Sequence, residues 1–132
     1  MDKLVIKIEL IVSVLFGYLL FLIGNINDMI KLLCFFMVID FITGMIKAIV
    51  NKNLNSKAIF KGGYRKALIF LVIMIGNTID MTFKDMFLRE TIIIYYLIQE
   101  GVSILENINT YIDLPEQLQE FFTQMKGEDI DE

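Results

Sequence analysis

Residues 40–66 read DFITGMIKAIVNKNLNSKAIFKGGYRK, and the fold turns on how this stretch is understood. It opens with an acid, Asp40, set inside an apolar run, then passes into Lys47–Lys66, which holds six Lys or Arg and no Asp or Glu. Lys and Arg collect beside helix ends on the cytoplasmic face of a membrane, so a purely basic segment between two apolar runs predicts an inner loop and fixes the direction of both neighbours. The cations assigned to it are Lys52, Lys57, Lys61, Arg65 and Lys66, with Asn51, Asn53, Asn55 and Ser56 supplying turn and N-cap chemistry. Gly62-Gly63 before Arg65-Lys66 lacks the spacing and the preceding strand of a phosphate-binding loop, and anchoring to lipid headgroups explains these cations better.

Composition agrees. The chain has 132 residues, enough for one domain, and 56% of them are hydrophobic, against roughly 45–50% in ordinary soluble domains. A small soluble domain has little interior in which to hide such an excess, so lipid is the expected solvent. The net charge of −4 averages a basic middle over an acidic end. Residues 107–132 carry seven acids and one Lys, which argues against nucleic acid as a partner. Cys34 is the single cysteine and is expected to be a buried small hydrophobe; there is no His. Nucleophile triads, zinc signatures and nucleotide loops are missing from the sequence, so neither catalysis nor a cofactor or metal is expected. Asp40 and Asp80 raise the thought of a paired-carboxylate intramembrane protease, but the context G-N-T-I-D has no glycine directly before Asp80, and short helices leave little room for a substrate.

Outward from the basic loop, the chain predicts a small all-α transmembrane bundle of four spans, with three as the alternative. Lys3 and Lys7 precede an apolar run ending at Gly24, and residues 4–24 are 21 residues, sufficient at about 1.5 Å each for a core of about 30 Å. No A-x-A-like site follows, which favours a span over a secretory signal. Ser13 and Gly17 form a small-xxx-small pair. After the polar turn Gly24–Asp28, residues 29–50 span again. Within them Asp40, Thr43, Gly44 and Lys47 share one helix face, and an Asp40–Lys47 pair is one account of it. Residues 67–83 form the third span, with Asn77 and Asp80 on one side. Residues 91–108 form the fourth. Their first half, TIIIYYLI, could be read alone as a strand, but an open strand edge cannot be satisfied in lipid. Glu100, Ser103, Glu106 and Asn107 give this segment a polar stripe; if it lies in the interface instead, the chain has three spans. Asp113 is the expected N-cap of an amphipathic cytoplasmic helix over 113–126, whose stripe Leu114, Leu118, Phe121, Phe122 and Met125 packs on a partner copy or lies along the membrane. An acidic tail over 127–132 should be disordered. The transmembrane domain is thus 1–112, with both termini cytoplasmic.

The run Asp40-x-x-Thr43-Gly44-x-x-x-Ala48, then Asn55-Ser56, Gly62-Gly63-x-Arg65-Lys66, Asp80, Arg89, Glu100-x-x-Ser103-Ile104-Leu105-Glu106-Asn107 and Leu114-Pro115, resembles the toxin-secretion/phage-lysis holin family over about residues 35–120. The resemblance implies a homo-oligomeric protein of the bacterial cytoplasmic membrane, in contact with membrane lipid, which opens a lesion at a set time. Through it an endolysin, or a large toxin without a signal peptide, leaves the cell. The family's shared positions fall on Asp40, Gly44, Gly63, Lys66, Asp80, Glu100, Ser103, Glu106 and Asn107, with no catalytic role. The acidic end departs from the basic end of many holins. The rival expectation is a non-lytic small channel, an accessory subunit or a holin inhibitor.

Overall fold

The computed structural model describes residues 2–127, apart from the side chain of Lys126. Five helices follow one another: α1 Asp2–Ile23, α2 Asp28–Val50, α3 Ser56–Thr82, α4 Leu88–Asn109 and α5 Glu116–Lys126. No strand occurs among the described residues, so TIIIYYLI is helical. By length and apolarity α1 and α2 can cross a membrane. The acidic tail predicted past Gly127 lies outside the described residues.

Local chemistry sets the ends. Asn27 caps α2, its side chain accepting from the Ile30 N–H at 3.2 Å, and Asn55 caps α3 through the Ala58 N–H at 2.8 Å. Between them α2 closes with Asn53 N–H on the Ala48 carbonyl and Lys52 N–H on that of Ile49, with Lys52 in the left-handed region at φ 57°; this is the paired-bond helix ending that usually takes glycine. Because the Asn55 cap starts α3 eleven residues before Ala67, Lys57, Lys61, Arg65 and Lys66 are helical, and of the five predicted loop cations only Lys52 lies in a loop. Lys and Arg are good helix formers, so the basic segment offers no reason to stay open. The start of α5 also differs from expectation. Pro115 takes an extended ψ of 132° and stands at the N-cap without a side-chain bond, which leaves Asp113 too far from the first free N–H groups to cap them.

Helix α4 is the centre of the bundle, packing on α2, α3 and α5. Its Ile93 meets Ile30, Leu33 and Met37 of α2 and Ile69 and Ile73 of α3 in one buried cluster. Outside this cluster α1, α2, α3 and α4 all expose large apolar side chains: Phe16, Phe35, Leu71 and Tyr95 are each half exposed or more. Patches of this extent are foreign to a soluble monomer and suit lipid. The same fact corrects the expectation for Cys34, which is exposed, because an apolar solvent removes the reason to bury it. Helix α1 is extreme. Every residue from Asp2 to Phe21 is exposed, Ser13 and Gly17 included, and only its last turn touches the bundle.

Three glycines are needed for close approach, among them Gly101, against which the Phe122 ring lies. A Cβ on Gly76 would stand 2.5 Å from Ile92 Cδ1 and 3.3 Å from the backbone of Arg89, so α3 and α4 meet closely there; Gly24, at φ +89°, lies under the Asn77 carboxamide. Gly76→Val is therefore expected to lower stability by about 1–3 kcal/mol through overpacking, whereas Gly63→Ala, with nothing within 4 Å, is neutral or gains up to about 1 kcal/mol of helix propensity. Thermal unfolding in detergent measures both, and equal melting of the two variants would refute this packing.

Candidate functional site: two polar layers in an apolar bundle

The apolar cluster is closed at each end by a polar layer. Asn27 Nδ2 donates to Glu90 at 3.3 Å, so the first turns of α2 and α4 stand at one level and the two helices run the same way, with α3 antiparallel. In this first layer Arg89, 5% exposed, donates from Nε to the Ile23 carbonyl at 2.7 Å, from Nη2 to the Asn25 carbonyl and from Nη1 to Glu90. Asn77 donates to the Leu22 carbonyl at 2.9 Å. Asp80 accepts from the Leu88 and Arg89 N–H groups, both at 2.9 Å, placing a carboxylate on the positive end of α4. The carbonyls left free at the end of α1 and the amides left free at the start of α4 are thus satisfied by side chains from α3 and α4.

The second layer lies 14 residues along α3 from Asp80, about 21 Å at 1.5 Å per residue. There Lys66 Nζ donates to Asp40 Oδ2 at 2.8 Å and to Glu100 Oε2 at 2.6 Å, with side chains 18%, 16% and 10% exposed. Asn107 Nδ2 donates to Asp40 Oδ1 at 3.3 Å and to the Thr43 hydroxyl at 3.1 Å. Thr43 Oγ1 donates to the Ile39 and Asp40 carbonyls of its own helix. Three helices each contribute a charge, and one ammonium serves two carboxylates.

Of the predicted polar-face residues, Asp40, Thr43, Glu100 and Asn107 therefore come together. Gly44, Ser103 and Glu106 line a cleft of about 380 Å³ between α2, α3 and α4 that has the Lys66 cluster in its wall. Asn77 and Asp80 belong to the other layer, so Asp40 and Asp80 share no proton. Lys47 is not the partner of Asp40. It lies seven residues away on the same helix, about 10 Å along the axis, whereas Lys66 arrives from across the bundle. Assigning Lys66 to the loop missed this pairing; the signal available was that two acids inside apolar runs need a cation, and Lys66 stands at the edge of the next run. Arg89, Glu90 and Asn27 as a staple were missed as well, because Lys84–Glu90 has the composition of any exposed loop. No group of three or more metal-ligating side chains stands together among the described residues.

Removing one partner of a buried ion pair leaves the others charged and unpaired, at about 3–5 kcal/mol. Lys66→Met is expected to lower stability by about that much, and Lys66→Met with Asp40→Asn and Glu100→Gln to recover most of it, since the neutral amides can still hydrogen bond. Unfolding of the single and triple variants in detergent tests this; a single variant no weaker than the triple one would mean the cluster is not held by charge.

Comparison with known proteins adds the lineage. The chain is 33% identical over 120 residues to an uncharacterized protein of Listeria monocytogenes, covering 87% of this chain and 84% of that one. It is 32% identical over 96 residues to an uncharacterized 14.9 kDa protein of Clostridium perfringens, with 70% and 72% covered. A protein of Bacillus phage phi105 named "probable holin" is 42% identical over 73 residues, about half of each chain. No solved structure matches. The profile of the bacteriophage holin family matches residues 17–127, and on that extent the chain belongs to this family of membrane-permeabilising, non-enzymatic proteins.

Proposed function

We propose that the protein is a holin that crosses the bacterial cytoplasmic membrane four times, assembles with copies of itself and opens a lesion for an endolysin or a large toxin. The observation that carries this reading is the shared ion cluster of Asp40, Lys66 and Glu100. Helices α3 and α4 hold 27 and 22 residues, each enough to cross a core of about 30 Å. Their charged residues lower their apolarity, yet Lys66, Arg89 and Glu100 turn inward and are paired there, as intramembrane charges must be. The cations of the α2–α3 end, Lys52, Lys57, Lys61 and Arg65, are exposed and accord with an inner face; Asn25 to Asp28 and Phe83 to Phe87 are then outside, with the N-terminus and the end of α4 inside.

A bundle in which Asp40 and Glu100 share one ammonium has two uses for these charges. Packed within a copy they cement α2, α3 and α4; separated, they supply charge to a surface facing water. This second use is what a protein that changes from dispersed copies to an open lesion requires. Polar groups that can meet either one another or water make the change reachable.

Induced expression should halt growth abruptly after a lag and release both a small dye and a co-expressed cytoplasmic endolysin. Asp40→Ala and Glu100→Ala should each shift the onset of release while leaving the protein in the membrane; unbroken growth with the protein inserted, or unchanged timing in both variants, speaks against this function. For the topology, in a Cys34→Ala background, Met86→Cys should react with a membrane-impermeant thiol reagent from outside before lysis, and Asn53→Cys should not. Reaction at both positions, or at neither, overturns the four-span arrangement.

A further inference from the structure

Helix α5 is amphipathic and was expected on the cytoplasmic surface, but it folds back into the bundle. Phe122 packs on Phe36 of α2, ring centroids 6.3 Å apart, and lies against Gly101 of α4. Gly101 comes eight residues before the end of α4, so the chain must turn after Asn109 and run back beside it to bring Phe122 there. Depth follows from counting. From the level where Asn27 meets Glu90, Phe36 lies nine residues down α2 and Gly101 eleven down α4, about 14 and 17 Å at 1.5 Å per residue. In a bilayer core of about 30 Å that is the middle.

The other side of α5 does not suit that position in lipid. Glu116, Gln117, Glu120 and Gln124 are exposed and fall on one face at helical spacing, opposite Phe122. Glu120 is two residues from Phe122 and so near that depth, with Glu116 about 9 Å nearer the inner face at 1.5 Å per residue; a carboxylate facing acyl chains at mid-depth is costly, and so are amides without partners. The seam between α4 and α5 is polar too: a cleft of about 160 Å³ there is lined by Glu106, Asn109, Gln119 and Thr123 along with apolar residues. By contrast α1 presents apolar side chains all round from Leu10 to Phe21, a surface with no use for water.

We propose that α5, docked across Phe36 and Gly101, is the water-facing lining of the lesion, with Glu116, Gln117, Glu120 and Gln124 toward the aqueous space and α1 toward lipid. This rests on the four-span holin reading. It gives the bundle an inside and an outside: the α2/α4 side carrying α5 turns inward, and the acidic face of the lining favours cations over anions of equal size.

The test uses the full chain in liposomes holding a dye. Leakage of the dye establishes the lesion, and a fluorophore on native Cys34, quenched by lipids brominated at mid-chain, establishes that α2 crosses. In a Cys34→Ala background, a fluorophore on Glu120→Cys should then be quenched several-fold more by aqueous iodide than by the brominated chains, and the pair Gly101→Cys with Phe122→Cys should form a disulfide without loss of leakage. Stronger quenching of the 120 label by brominated lipid, or leakage with no crosslink between 101 and 122, overturns the proposal while the holin reading stands. No leakage, or a Cys34 label quenched by iodide alone, sinks the reading beneath it.

Discussion

One ammonium between two carboxylates is the contact on which the rest of the bundle depends. Asp40, Lys66 and Glu100 come from three helices, and in an apolar surrounding none of them can be left alone. Their pairing fixes the rotation of α2, α3 and α4 about their own axes and the register of each against the others, which apolar side chains cannot do as sharply. Between lipid-soluble helices there is no hydrophobic driving force of the kind that folds a protein in water, because the acyl chains are as apolar as leucine. Packing of Leu33, Ile73 and Ile93 therefore adds contact and shape, while the polar layers add orientation.

The two layers differ in what they satisfy. The layer around Arg89 and Asp80 deals with backbone groups that helix ends leave unpaired, and its partners are carbonyls and amides as much as side chains. Between helices, the layer around Lys66 joins only side chains. The first resembles a joint, binding the α1–α2 turn to the start of α4; the second resembles a clasp that can open without exposing backbone. In the proposed holin, change between states would begin at the clasp and leave the joint closed.

Much of this was legible from the sequence, for reasons that can be stated residue by residue. Four long helices follow from four apolar runs separated by Asn-, Gly- and Lys-rich breaks, and the Asn55 cap is where its residue type puts it. The shared face of Asp40 and Thr43 follows from helical period, as does that of Glu100 and Asn107. What periodicity does not carry is which faces meet. In the sequence Lys66 reads as a headgroup anchor because it stands among cations at the start of a run, and only the third dimension shows it ten residues inside α3. Composition likewise placed α5 at the surface, since an amphipathic stripe says that a helix has a partner but not that the partner is its own chain. Cys34 failed for a different reason: the rule that cysteine is buried comes from proteins dissolved in water.

The attachment of α1 has a consequence for how its sequence can vary. Held by the carbonyls of Leu22 and Ile23, through Asn77 and Arg89, and by the Ile23 side chain packed on the core, the helix offers nothing upstream of Leu22 for a neighbour to recognise. Carbonyls are the same in every residue type, so the joint is blind to the side chains that α1 carries from Asp2 to Phe21, all of them exposed. Any apolar stretch of similar length could be spliced there and held as well, and the family profile, which begins at residue 17, starts close to the point where the identity of the residues first matters to the bundle.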